Sequence, residues 1–234
     1  MASDNYSVLN AMVDIIASPV KALDEIREHT AWLWVPLFLV IAVTCAAFAY
    51  YYSWVDFDWL VEETIRALPP ESRAEAAPGV RGFMSPTSSI AITIASIVFV
   101  TVVVYALFAA YFNLVAKLTT SGEVRYGQWF SLNVWANFPS IFGAIAMFAV
   151  ILMANSNQLG QHEINPLSFN QLFLRAEPGD PWFNWGNSTS LLQLWTTALA
   201  GLGFARWTGS SLAKGMIVAF APLVLIYGIW AALV

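Results

Sequence analysis

The chain has 234 residues, of which 59% are hydrophobic and 11% charged, with a formal net charge of −5. Typical globular chains carry about a quarter charged residues, so a soluble domain is excluded, and a net negative chain without a basic cluster is no nucleic-acid binder. A single cysteine, Cys45, lies in an apolar run and leaves neither a disulfide framework nor a thiolate metal cluster.

The charges are unevenly spread. Residues 29–55, 82–116, 126–162, 181–205 and 215–234 contain no Asp, Glu, Lys or Arg. Each stretch has at least the ~20 residues that a helix needs to cross a hydrocarbon core. The expected fold class is an all-α integral membrane protein, five transmembrane helices preceded by N-terminal amphipathic interfacial helices.

Residues 1–30 form the expected N-terminal amphipathic segment. Val8, Leu9, Met12, Val13, Ile15 and Ile16 fall mostly on one side, and Ser18-Pro19 reads as an N-cap followed by proline at the first helical position. Val20, Leu23 and Ile26 then recur at helical spacing against a charged side. Such helices lie on a membrane surface, where they either form a collar for the protein's own bundle or shape the bilayer. Residues 1–7 lack the basic-then-apolar pattern of a cleavable signal, so the first span is expected to act as its own insertion signal.

The transmembrane domain is expected over 31–234. The first span, 31–54, has Trp32 and Trp34 at one end and Tyr50, Tyr51, Tyr52 and Trp54 at the other, the aromatic girdles that interfaces select. A polar extramembrane loop follows over 56–88, helical in its first part up to Pro69-Pro70. The second span covers 90–115. Gln128 to Asn137 then reads as a short interfacial helix that bends at Pro139 into the third span, 139–153. A second loop, 155–188, precedes the fourth span, 191–205, and a basic turn leads to the fifth, 216–233. Within the fourth span, Gly201 and Ala205 form a small-x-x-x-small pair with Gly203 beside them, the pattern of close helix contact in lipid.

Orientation follows from the basic residues of short segments. Lys21, Arg27, Lys117, Arg125, Arg206 and Lys214 all fall on one side, whereas the two long loops hold Arg66, Arg73, Arg81 and Arg175 among nine acids. The N-terminus is expected in the cytoplasm, with loops 56–88 and 155–188 and the C-terminus outside it.

These features in this order resemble the Yip domain family, the Ypt/Rab-interacting membrane proteins, in its bacterial branch. The likeness runs through Ser18-Pro19 leading into 21–27, Trp32 and Pro36 opening the first span, and the aromatic run to Pro139. It continues through Gln193-Leu194-Trp195 and the Gly201-Leu202-Gly203 segment before a basic turn. It implies five membrane helices in a bacterial cytoplasmic (inner) membrane. Eukaryotic relatives are tied to Rab GTPases and vesicle traffic, but their acidic tyrosine-glycine-proline signature is absent here, so Rab binding does not carry over.

Candidate chemistry is sparse. No His, Asp, Glu or Lys falls within a proposed span, which argues against an intramembrane enzyme and against charge-coupled transport. The His162-Glu163 pair reads as a solvated loop pair, so no catalytic, cofactor or metal site is expected. Asn113, Asn133, Asn137, Gln193, Thr196 and Thr197 either line a polar groove or bond between helices, the latter being favoured. The residues expected to matter for helix packing are Ser18, Pro19, Pro139, Trp195, Gly201, Gly203 and Ala205. The expected function is a scaffold or adaptor for other membrane proteins or lipids. The alternative is a transport component, either a permease for a small or lipidic solute or an accessory subunit of an exporter. The expected partners are the bilayer, other membrane proteins and, as an option, further copies of the chain.

Overall fold

The computed structural model describes residues 6–68, 70–121 and 123–234. Its helices are α1 (Val8–Ala17), α2 (Pro19–Glu28), α3 (Trp34–Trp54), α4 (Phe57–Arg66), α5 (Pro70–Phe83), α6 (Pro86–Thr119), α7 (Tyr126–Ala136), α8 (Ile141–Met153), α9 (Pro181–Ser188), α10 (Leu191–Thr208) and α11 (Leu212–Leu233). Among the described residues, extended pairing is confined to one isolated antiparallel bridge, Ser168 with Ser190.

Four helical stretches are long and apolar enough to cross a membrane: Thr30–Trp54, Pro86–Thr119, Tyr126–Met153 and Leu212–Leu233. With 34 residues, α6 is the longest; at ~1.5 Å per residue it exceeds a ~30 Å hydrocarbon core, and tilt or projection takes up the excess. The expected fourth span is helical as α10 but is not among the four. Gln193, Thr196, Thr197, two glycines and Arg206 lower its hydropathy. Its burial gives the physical reason: Leu199, Ala200, Gly201, Gly203, Phe204, Ala205 and Trp207 are all buried. A helix enclosed by other helices has no need of an apolar perimeter.

The chain forms two compact units. The first comprises residues 6–41, Phe99–Ser140 and Leu192–Ile229. Its core is aromatic: the Trp129 ring lies 5.4 Å from Phe204, 5.9 Å from Phe112 and 5.8 Å from Trp207. Onto this core folds the α1–α2 hairpin, with Ala11, Ile15, Ala22, Leu23 and Ile26 fully buried. Ser18 stands between the two helices and its N–H donates to Asp14 O at 2.7 Å, closing α1. Pro19 occupies the first turn of α2 as expected, but the Ser18 side chain makes no capping bond. The backbone of Ser18 is engaged in ending α1 instead.

The bend at Pro139 is a single 3-10 turn, Phe138–Ser140, between α7 and α8. Proline has no N–H to continue the helical ladder. Asn137 covers the break: its N–H and its side-chain Nδ2 both donate to Asn133 O, at 3.1 and 2.9 Å.

The second unit comprises Ala42–Val98, Ile141–Leu191 and Trp230–Val234. Its core gathers Ala47, Tyr51, Tyr52, Val55, Leu60, Met147, Ile151 and Ile164. The two tyrosines secure the 155–165 segment: Tyr51 Oη donates to Leu159 O at 2.7 Å, and Tyr52 Oη accepts from Gln161 Nε2 at 2.8 Å. The 56–88 segment is an α4–α5 hairpin rather than a loop with one helix. Val61, Ile65 and Ala77 pack within it, and Arg81 makes a two-pronged contact with Glu62 at 2.9 and 3.0 Å.

Candidate functional site

Within the first unit, α6, α7, α10 and α11 surround a cavity of about 370 Å³. Asn133, Asn137, Gln193, Thr196 and Thr197 all line it. Five of the six polar residues singled out from the sequence thus share one space; Asn113 lies elsewhere. Tyr105 and Tyr227 also face the cavity; sequence reasoning passed them over, although both fall inside expected spans.

The polar groups are mostly satisfied along their own helices. Asn133 Nδ2 donates to Trp129 O at 2.8 Å, and Thr196 and Thr197 hydroxyls donate to Gln193 O at 3.2 and 2.7 Å. Such back-bonding is the usual local outlet for short polar side chains in a helix. Gln193 Nε2 reaches across to Tyr227 Oη at 3.2 Å, tying α10 to α11. Nearby, Tyr111 Oη donates to Val218 O at 2.9 Å, tying α6 to α11. The cavity therefore presents amide, hydroxyl and phenol groups to a neutral hydrogen-bonding guest, with apolar walls from Val104, Phe108 and Leu223.

The small residues of α10 occupy two faces. A Cβ added at Gly201 would meet Gly215 O at 3.0 Å and Ala219 Cβ at 3.2 Å. One added at Gly215 would run into Gly201 O and stand 2.8 Å from Ala205 Cβ. Gly201 and Ala205 thus face Gly215 and Ala219 across α10 and α11. The second pair has the same four-residue spacing and was legible, though it was overlooked. Gly203 looks the other way, where an added Cβ would strike Leu132 of α7 and come within 3.1 Å of Leu23 of α2. Trp195 is half-buried on α10. Gly209, at φ 66°, supplies the left-handed turn that ends α10.

Side chains bind the α1–α2 collar to α10. Trp207 Nε1 donates to Leu23 O at 2.9 Å, and Arg206 grips Asp24 with two bonds of 2.8 Å. Inside the collar, Lys21 Nζ lies 2.8 Å from Asp14 Oδ2, which also accepts from Tyr6 Oη at 2.9 Å. The bond from Lys21, with that from Tyr6, holds the Asp14 carboxyl below the usual carboxylate range, against the opposing pull of desolvation. Burial, then the Asp14 bond, pushes the Tyr6 phenol up.

Helices able to span a bilayer, a docked helical collar and a tight glycine contact define a multi-pass membrane protein. The chain belongs to the Yip1 domain family, whose model matches residues 13–233, nearly the whole length. The resemblance drawn from Ser18-Pro19, the run to Pro139 and the Gly201–Gly203 segment holds at the family level. No curated protein and no solved structure matches the chain.

Proposed function

We propose that this protein is a non-enzymatic scaffold or adaptor of the membrane that organises or assists other membrane proteins or lipids. The observation that carries this reading is the collar. Its inner face is fully buried, and Trp207 and Arg206 fasten it to α10. Its outer face leaves Leu9 and Val13 66% and 64% exposed, continued by Ile16 and Val20. A preformed platform with an outward apolar stripe suits docking against a membrane or a membrane partner. A docked collar also favours this role over membrane-shaping by residues 1–30 alone.

In this reading α10 is the fourth of five spans, the N-terminus and the short basic turns are cytoplasmic, and segments 56–88 and 155–188 are extracytoplasmic in a bacterial inner membrane. Single cysteines at Ser72 and Asn157, in a Cys45→Ser background, should then label from outside intact cells. One at Ser121 should label only after permeabilisation, and the reverse pattern overturns the orientation.

The polar cavity favours a second reading, passage of a small or lipidic neutral solute. Two measurements on the purified protein separate the readings. A stoichiometric partner retained in mild detergent, with no flux through the lone protein in liposomes, supports the adaptor. Solute flux by the lone protein that is lost on filling the cavity with Thr197→Phe supports the permease.

A further inference from the structure

A second cavity of the first unit, about 830 Å³, lies where three candidate spans begin or end. Arg27 and Thr30 stand at the entry to Thr30–Trp54, Lys117 near the end of Pro86–Thr119, and Arg125 and Gly127 at the start of Tyr126–Met153. Arg27, Lys117 and Arg125 all line it, and among the described residues none of the three has an ion-pair partner. This sets them apart from Lys21, Arg66, Arg81 and Arg206, each of which has its own carboxylate. Glu28 and Glu123 also border the cleft but form no ion pair with these cations.

Two further features point to an anion with a polar body. Asn113 lies one helical turn from Lys117 toward the middle of the span, lines the same cleft, and makes no hydrogen bond within the described residues. Its side chain is partly exposed, so its amide can donate to a ligand that enters the cleft. The cleft is also held open by structure rather than by the cations themselves. Gln128 Nε2 donates to Arg27 O at 3.0 Å, fixing the end of α2 against α7, and Gln128 Oε1 accepts from Arg125 N at 2.9 Å.

We propose that this cleft binds a phosphate group, carried by an anionic phospholipid headgroup or free in solution. Guanidinium groups present a fork matched to phosphate oxygens, and a lysine adds a compact charge. The two glutamates leave the lining one charge positive, which suits a phosphodiester monoanion and is poorly matched to a multiply charged one. The position of Asn113, deeper than the cations, fits the ester carbonyl below a lipid phosphate and so favours the lipid source. The proposal rests on the chain crossing a membrane and does not depend on the scaffold reading.

Native mass spectrometry of the full chain in neutral detergent, offered equal phosphatidylglycerol and phosphatidylcholine, tests the lipid source. Phosphatidylglycerol should be retained preferentially, and Lys117→Gln with Arg125→Gln should reduce retention roughly fivefold per charge removed. Arg175→Gln should leave it unchanged. Titration calorimetry with inorganic phosphate tests the soluble source: saturable binding without lipid, lost in the same double variant, assigns the cleft to a free phosphate. Failure of both ligands to bind, or binding that the double variant does not weaken, overturns the proposal. Should that variant misfold, the wild type still decides: retention must fall as salt rises, and salt-insensitive retention overturns the site.

Discussion

Gly201 and Gly215 stand backbone to backbone, so that a Cβ on Gly215 would overlap the carbonyl oxygen of Gly201. In lipid no hydrophobic drive brings helices together, and close approach over small residues supplies much of the association. The two glycines are not equivalent. A Cβ at Gly215 would overlap backbone outright, whereas one at Gly201 would only be in tight contact, 3.0 Å from both Gly215 O and Met216 Sδ. Gly215→Ala should therefore lower thermal stability in detergent more than Gly201→Ala, with overpacking costs of about 1–3 kcal/mol. Either glycine to Leu should be severe, and Leu202→Ile mild. Equal, near-zero shifts for both alanine variants would show that the α10–α11 contact relaxes freely.

The collar should loosen in a graded way. Trp207 is nearly fully buried and its Nε1 donates to Leu23 O, so Trp207→Phe removes that bond and leaves a small void, costing about 1 kcal/mol or slightly more. Arg206 and Asp24 are each about half exposed, and an exposed ion pair contributes little to stability. Limited trypsin digestion at Lys21 and Arg27 should quicken more in Trp207→Phe than in Arg206→Gln. The opposite order would make the ion pair the main fastening.

Much of this was legible because membrane helices announce themselves through charge-free length. Each of the five charge-free stretches is largely helical, and Pro139 marks the break between α7 and α8 where its missing N–H requires one. What escaped detection depended on packing. Helix α5 contains Pro78, Gly79 and Gly82, which read as loop punctuation, and it is held through Ala77 and Arg81 against α4. The hydropathy of α10 underrates a helix shielded by its neighbours. Gly203 sits two residues from Gly201 and reads as part of one seam, yet at ~100° per residue the two point to opposite neighbours. Asn113 shares residue type with Asn133 and Asn137, but its position near the end of α6 puts it in the charged cleft.

The interhelical bond from Gln193 to Tyr227 in the polar cavity should be worth little. Polar contacts between membrane helices average about 0.6 kcal/mol and reach about 1.7. Gln193→Leu removes the donor to Tyr227 Oη while keeping the volume, and should lower the melting temperature slightly. Asn133→Leu should cost more, because Asn133 is buried and its Nδ2 bond to Trp129 O lies inside the aromatic core. If Gln193→Leu proves the more damaging in thermal unfolding, then Gln193 and Tyr227 anchor the α10–α11 pair and the glycine contact is secondary.

Acid should weaken the α1–α2 collar through Asp14. Its folded carboxyl titrates below the usual range, because Lys21 and then Tyr6 bond to it. The stability it contributes is therefore fully present above the unfolded value of about 4 and is lost as pH falls through the lower folded value. Lys21 is 59% exposed, which limits the contribution to the range of surface pairs, at most about 1 kcal/mol. At neutral pH, Asp14→Asn should expose Lys21 and Arg27 to trypsin faster than the wild type. Lowering the pH toward 3 should bring the two together, read by hydrogen exchange at the α1 amides because trypsin is inactive there. Tyr6→Phe should fall between them at neutral pH, since it removes one of the two bonds to the carboxylate. A gap between wild type and Asp14→Asn that persists unchanged at pH 3 would mean that the asparagine acts through helix geometry rather than charge.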